Sequence, residues 1–398
     1  MKNKIFNVKA IITYVLSVFA IILCLFSNET SLVAKKTIYM CLDIVIPSLF
    51  PFFVLSRIII HYISDFPCPK FLKGIIERFF YLPYYAIFII MLGFISGYPN
   101  GAKMARDMFD QGLLDGRQAS KILPMANYCS PLFVIGTIGS GLFRSIKLGI
   151  FLLLIHWISG LIASSIIGKI TGYVSGKEGK NNNPTQNNIR GSAHEYRKKS
   201  MDPVSLAVLV PSSIEDAAIL CIKVSGYIIF FAVFSELLSL LGVFTIIGSL
   251  FGFLATGSSQ SAGFAEFITA LLKGFIEITS GAQAIYNLKS IQLNTQLTAI
   301  SAIFGFAGFS VHTQIMGIMK GTKSKYSVLF LGKLLHGIIA GALCFLAIYI
   351  MPMSVQTSEM EAISSIDLLW TRPLIIGVLL VSLVISPYRN RTATNVKK

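Results

Sequence analysis

Four short motifs put polar or helix-breaking residues inside apolar runs, and these are the residues with chemistry to offer. Ile95-Ser96-Gly97-Tyr98-Pro99-Asn100-Gly101-Ala102-Lys103 sets two glycines and a proline at the end of an apolar stretch, which stops a helix and frees backbone groups. Asn127-Tyr128-Cys129-Ser130-Pro131 is a second break. Ser followed by Pro is the pattern of an N-cap with proline at the first helical position, so a new half-helix is expected over 131–143. Glu277-Ile278-Thr279-Ser280-Gly281 and Gly305-Phe306-Ala307-Gly308-Phe309-Ser310-Val311-His312-Thr313-Gln314 are the other two. If the breaks meet near the membrane midplane, half-helix N-termini turn N–H groups and partial positive charge toward an anionic group. Plain turns at the membrane surface account for the same residues, since Ser-Gly-Tyr-Pro-Asn-Gly is also good turn chemistry. On the first reading Ser96, Gly97, Tyr98, Asn100, Asn127, Ser130, Thr279, Ser280, Ser310, Thr313 and Gln314 are the candidate substrate-binding residues.

Glu277 falls between Phe275-Ile276 and Ile278, and a carboxylate at such depth costs several kcal/mol unless it is paired, hydrated or protonated. With His312 it is a candidate coupling residue for a proton or cation; an ion pair with Lys273, one helical turn earlier, is the structural alternative. His156 and His336 are open to two readings, a proton relay or histidines hydrogen-bonded to a neighbouring helix. Asp43, Lys223, Glu236 and Lys333 are read as facing polar crevices or snorkelling to an interface. No Walker A sequence, H-E-x-x-H or G-x-S-x-G occurs, so nothing supports ATP hydrolysis, a hydrolytic centre or enzyme chemistry generally. The six cysteines include no C-x-x-C pair, and neither a metal site nor a cofactor is expected.

The elements that must position these residues are membrane helices. Only 13% of the 398 residues are charged, against about 25% in an ordinary soluble domain. Uncharged stretches over 79–102, 122–143, 148–168, 237–265 and 290–319 each reach the roughly 20 residues that cross a bilayer as helix. The expected fold is an all-α polytopic membrane protein in the cell membrane. The 34 Lys and Arg against 18 Asp and Glu lie mainly in polar loops, which reads as positive-inside topology rather than nucleic-acid binding. Both termini and a polar segment over 173–205 are therefore placed in the cytoplasm, and an acidic loop with Glu359, Glu361 and Asp367 outside. The expected order is an N-terminal membrane helix over 1–34, a first repeat over 35–172, the cytoplasmic linker over 173–205 and a second repeat over 206–350. The acidic loop, a last membrane helix and a basic tail follow over 351–398.

The repeat rests on a shift of about 180 residues. It brings Cys41 onto Cys221, Gly101-Ala102 onto Gly281-Ala282, Ser130 onto Ser310, and Leu154-x-His156-x-Ile158 onto Leu334-x-His336-x-Ile338. A cytoplasmic start and a cytoplasmic linker require an even number of crossings, yet the first half shows five apolar segments, over 10–27, 38–60, 79–97, 122–143 and 148–168. One is expected to be broken or re-entrant, and the halves to be inverted, as in carriers whose sites form where two repeats meet.

Ile95-Ser96-Gly97-Tyr98-Pro99-x-Gly101-Ala102-Lys103, Asn127-x-Cys129-Ser130-Pro131-Leu132-Phe133 with Gly136 and Gly139, and Gly274-Phe275-x-Glu277-Ile278-Thr279-x-Gly281 together resemble the sporulation stage V integral membrane protein family of the YlbJ/SpoVV type. The resemblance runs from about residue 35 to 350. It implies two nucleoside-recognition (Gate) regions coinciding with the repeats, kinship with concentrative nucleoside transporters, and a carrier passing dipicolinate from mother cell toward forespore across the outer forespore membrane. Dipicolinate is a pyridine with two carboxylates, so it wants N–H clusters or Arg/Lys at either end and an aromatic or apolar wall. Tyr98, Tyr128, Phe306 and Phe309 are candidates for that wall. A cation-coupled nucleoside transporter and a non-transporting scaffold of the sporulation membrane are the competing readings. The expected partners are the small solute and the bilayer, with a homo-oligomer as a further expectation and no nucleic acid.

Overall fold

The computed structural model describes residues 2–62, 80, 82–84, 86–178, 205–256 and 262–351. All its regular elements among these residues are helices. The chain begins with α1 (Lys2–Leu25) and α2 (Ser27–Met40), then a π-helical turn π1 (Cys41–Val45) leading into α3 (Ile46–Tyr62). Next come α4 (Ala86–Ser96), α5 (Asn100–Asp110), α6 (Gly116–Ala126), a second π-helical segment π2 (Leu132–Leu142) and α7 (Ile146–Glu178). The rest consists of α8 (Leu206–Leu240), α9 (Val243–Thr256), α10 (Ala262–Ile276), α11 (Ile278–Asn287), α12 (Leu293–Phe306), α13 (Gly308–Ile318) and α14 (Tyr326–Ile350).

Among the described residues, six helical stretches are long and apolar enough to cross a bilayer: Val8–Leu25, Ser27–Tyr62, Ile146–Thr171, Leu206–Leu240, Leu293–Ile318 and Tyr326–Ile350. The polytopic helical membrane class therefore holds. The expected spans over 79–97 and 122–143 are not full crossings. Among the described residues the first supplies the eleven-residue α4, and the second is cut at Asn127–Ser130 into the end of α6 and the separate π2. Ser27–Tyr62, conversely, runs on as one helical path, so the boundary expected at 34/35 falls inside a helix and the first helix end is the turn at Phe26. Residues 173–178, read as linker, extend α7. The remainder of the linker from 179 to 204, and the acidic loop, last helix and basic tail over 352–398, lie outside the described residues.

Local chemistry accounts for several of these ends. Asp115 caps α6 with a reciprocal capping box: its carboxylate accepts from the N–H groups of Arg117 and Gln118, and Gln118 Oε1 accepts from Asp115 N at 3.0 Å. Pro47 has no N–H to give to the carbonyl four residues earlier, at Asp43, and the wider π turn sits at that point. Helix α5 is amphipathic. It buries Gly101, Ala102, Met104, Ala105 and Met108 and forms two i,i+4 ion pairs, Lys103–Asp107, largely covered, and Arg106–Asp110, more exposed.

The two stretches named as repeats interlock. In the core α14 packs on both α12 and α7, α12 also on α7, and α6 on α14. Around it α3 packs on α8, α5 on α13, and π2 on α11. One continuous apolar core, with Ile90, Met104, Ile122, Leu152, Ile300 and Phe304 buried, spans both stretches.

Candidate functional site

The helix breaks converge. Tyr98 N donates to Tyr128 O at 2.8 Å, pairing the break between α4 and α5 with the break after α6. Gly97 sits at φ +81°, and a Cβ there would lie 2.7 Å from Ser130 Cβ. Only glycine admits both that conformation and that approach. Asn127, wholly buried, reaches back with Oδ1 to accept from Ala102 N at 3.1 Å, capping α5 from another helix, while its Nδ2 donates to Leu123 O. Asn100 Nδ2 donates to Ser96 Oγ at 2.8 Å, Ser56 Oγ donates to Asn100 Oδ1, and Ser96 Oγ donates to Leu92 O. Ser96, Asn100 and Asn127 therefore spend much of their hydrogen-bonding capacity on holding the breaks.

Ser130 Oγ accepts from Phe133 N at 3.3 Å, the cap expected of a Ser-Pro pair, but the element it opens is π-helical. In the second half Glu277 plays the capping part. Its Oε1 accepts from Thr279 N at 3.0 Å, and its Oε2 accepts from Ser280 N at 2.7 Å and Ser280 Oγ at 2.8 Å. The carboxylate, 7% exposed, thus neutralises the N-terminal partial charge of its own helix α11. No ion pair between Glu277 and Lys273 is found; the ion pairs among the described residues include Arg57–Asp216, Lys103–Asp107 and Arg106–Asp110. The fourth break is made by Ala307 and Gly308, both left-handed at φ +72° and +61°. No side chain caps α13 there.

These ends surround one cavity with about 780 Å³ of empty space, part of it open to the exterior. Six candidate residues line it: Tyr98, Ser130, Glu277, Thr279, Ser310 and Gln314. Gln314 Nε2 donates to Ser310 Oγ at 3.3 Å, and Tyr98 OH lies 3.2 Å from Cys129 Sγ. Ser96, Gly97, Asn100, Asn127 and Ser280 stand behind this lining. His312 is buried away from the cavity, with Nε2 on Phe306 O at 2.8 Å and Nδ1 near Tyr326 OH at 3.3 Å. Thr313 is exposed and bonds back to Phe309 O. Of the aromatic candidates Tyr98 lines the cavity, while Tyr128, Phe306 and Phe309 do not.

The sequence reading missed one wall. Met40, Ile44, Val45, Ser48 and Leu49, around π1, close the cavity together with Phe133 and Thr137 of π2. Pro47 and Pro51 inside an apolar span were the available signal. Glu277 is the lone charged side chain of the lining among the described residues. The cavity thus combines hydroxyls, one amide, one carboxylate and apolar walls, and suits a small partly apolar solute with hydrogen-bonding groups.

Lys333, read as facing a crevice or snorkelling, and His156 and His336, open to a relay or an inter-helix hydrogen bond, all lie at the junction of the halves. Lys333 is fully buried, donates to Asn127 O, and lies 5.1 Å from the centre of the Tyr128 ring. His156 and His336 stack at 4.6 Å, and His336 Nε2 donates to His156 O at 2.9 Å.

Compared with known proteins, the chain is 28% identical over 329 residues to the sporulation integral membrane protein YlbJ of Bacillus subtilis (strain 168), covering 80% of this chain and 78% of that protein. The resemblance to YlbJ-type sporulation membrane proteins is thereby borne out over most of the chain. No family model matches the chain, and no solved structure matches it significantly.

Proposed function

We propose that this chain is a secondary-type membrane carrier for a small organic solute, bound where the broken helices meet. The observation that carries this reading is the shared cavity. Tyr98 and Ser130 from one half, and Glu277, Thr279, Ser310 and Gln314 from the other, stand at helix breaks and line a single volume. A site between halves is where carriers built from repeats hold substrate, and movement of one half against the other opens it to each side in turn. In this reading the halves are inverted, Gate-like copies.

By resemblance the solute is the anion dipicolinate and the membrane is the outer forespore membrane, with transport from mother cell toward forespore. The ring would lie against Phe133 and Tyr98, and its carboxylates would meet the hydroxyls of Ser130 and Ser310. Glu277 shares that volume and repels a dianion, so dipicolinate enters with a proton or a cation that offsets the charge. This makes Glu277 the cavity-side coupling group.

A second reading is favoured by a specific observation: among the described residues, no Lys, Arg or His lines the cavity. Hydroxyls, the Gln314 amide and a carboxylate suit the sugar and base edges of a nucleoside, taken up with a cation. The test is uptake by the purified chain in proteoliposomes, comparing labelled dipicolinate with labelled uridine under imposed ion gradients. Saturable dipicolinate accumulation supports the first reading, and uridine accumulation selects the second. Transport of neither leaves a membrane scaffold.

A further inference from the structure

We infer that Lys333, with the stacked pair His156 and His336, forms a buried proton-binding site at the junction of the two halves, separate from the solute cavity. Lys333 projects from α14, in the second half, to the carbonyl of Asn127 at the end of α6, in the first. An ammonium buried without a counter-charge is costly in a membrane and marks a functional position by default. The titratable groups facing it are Tyr128 and Cys129 from the break after α6, His156 from α7, His312 from α13 and His336 from its own helix. No carboxylate among the described residues pairs with it.

The histidines supply an independent observation. Cys129 N donates to His156 Nε2 at 3.0 Å, which puts the proton of the neutral ring on Nδ1. His336 donates through Nε2 to His156 O, which leaves a lone pair on its Nδ1. Both Nδ1 atoms are buried with no hydrogen-bond partner among the described residues, an arrangement that native cores avoid unless the group has other work. One ring therefore holds an unused proton and the other an unused lone pair, three residues along α14 from Lys333.

The two protonation states differ in what they hold together. As ammonium, Lys333 ties Asn127 O to α14 and sits over the Tyr128 ring. On deprotonation the proton leaves Nζ, its electron pair stays on nitrogen, and the proton passes out to water, with the free lone pair of His336 Nδ1, one turn along α14, as the relay. The neutral amine has lost the charge that strengthened the bond to Asn127 O and the attraction to the Tyr128 ring. Proton release thus loosens the contact between the second half and the Tyr98–Ser130 side of the cavity. Coupling of this release to solute movement rests on the carrier reading; the proton site itself does not.

Trp157 reports on the cluster, since it packs edge-on to Phe94, which stacks on Tyr128 at 4.0 Å. The full chain carrying Trp370→Phe, which removes the other tryptophan, is reconstituted in liposomes. Trp157 emission is followed from roughly pH 6 to pH 11, the range in which amines and thiols release protons. The expected result is one reversible transition that is lost in both Lys333→Met and Lys333→Arg and kept in Cys129→Ser. A flat profile in the parent overturns the inference, as does a transition that survives either Lys333 substitution or vanishes in Cys129→Ser. Should the Met variant fail to fold, the Arg variant, charged throughout, decides. In the transport assay Lys333→Arg should keep solute exchange and lose accumulation driven by a pH gradient. Parent-like accumulation overturns the coupling, while a parent that moves no solute removes the carrier reading and leaves the titration to judge the site.

Discussion

The backbone N–H of Tyr98 donates to the carbonyl of Tyr128 at 2.8 Å. Two helix breaks far apart in sequence thereby satisfy each other in a strand-like contact, replacing helical bonds that each has given up. Buried backbone groups must find partners somewhere, and here one break finds its partner in the other, within the first half. This pairing brings Gly97 onto Ser130 and sets Tyr98 and Ser130 side by side on the cavity wall.

Gly97→Ala should therefore be among the most damaging single-methyl changes in the chain. It adds the strain of a left-handed alanine, of order 1–3 kcal/mol, to a Cβ 2.7 Å from Ser130 Cβ. Gly226, where an added Cβ would meet nothing within 4 Å, is the control. Thermal melting of both variants in detergent should show a large loss for Gly97→Ala and little change for Gly226→Ala. Equal melting points would mean that the break relaxes freely.

Asn127 and Ser130 are both cap residues, but they should separate in assay. Asn127→Ala strands the buried Ala102 N–H and frees Leu123 O, a cost of about 1–3 kcal/mol in stability with solute affinity little changed in the folded fraction. Ser130→Ala loses a cap worth about 1 kcal/mol and a hydroxyl on the cavity wall, so binding should fall more than stability. Melting curves paired with binding titrations separate the two, and an Asn127 variant that binds weakly but melts normally would move that residue into the cavity lining.

What could be read from the sequence here was local. Ser130-Pro131 announces a cap because the capping serine, its proline and the N–H that donates to it, that of Phe133, lie within four residues. The apolar helices announce themselves by composition. Asn127 capping α5, and Lys333 reaching Asn127 O, were not legible: the partners are 25 and 206 residues apart, and a lone Asn or Lys carries no mark of the helix it will meet. The π turns also escaped, since shifting hydrogen bonds by one residue leaves the apolar pattern almost unchanged. Glu277 stood out for its depth, but depth alone did not distinguish a partner at Lys273 from N–H groups just ahead in the chain.

Arg57 on α3 and Asp216 on α8 form an ion pair that links the first half to the second. Both side chains are about one-third exposed, at 34% and 38%, so if that exposure is to water the coupling should be small, about 0.2–1 kcal/mol. A double-mutant cycle with Arg57→Gln and Asp216→Asn, read by melting in detergent, measures it. A coupling of several kcal/mol would instead place the pair in a poorly hydrated junction, and no coupling would make it incidental.

Glu277 separates two roles that one carboxylate can fill together, capping α11 and carrying charge on the cavity wall. Its two oxygens accept three hydrogen bonds from Thr279 N, Ser280 N and Ser280 Oγ, whereas glutamine offers one acceptor oxygen and an amide that cannot accept. Glu277→Gln should thus lose part of the cap, about 1 kcal/mol, and with it the titratable group. Glu277→Asp keeps charge and capping ability on a shorter arm. If Glu277 couples transport, the Asp variant should retain some gradient-driven accumulation, while the Gln variant still inserts and exchanges solute but accumulates none. Lys273→Met should leave stability and transport near the parent's, because Lys273 forms no ion pair with Glu277. Should the Gln variant accumulate solute like the parent while melting lower, the carboxylate is a cap only, and the charge that drives transport must be sought at Lys333.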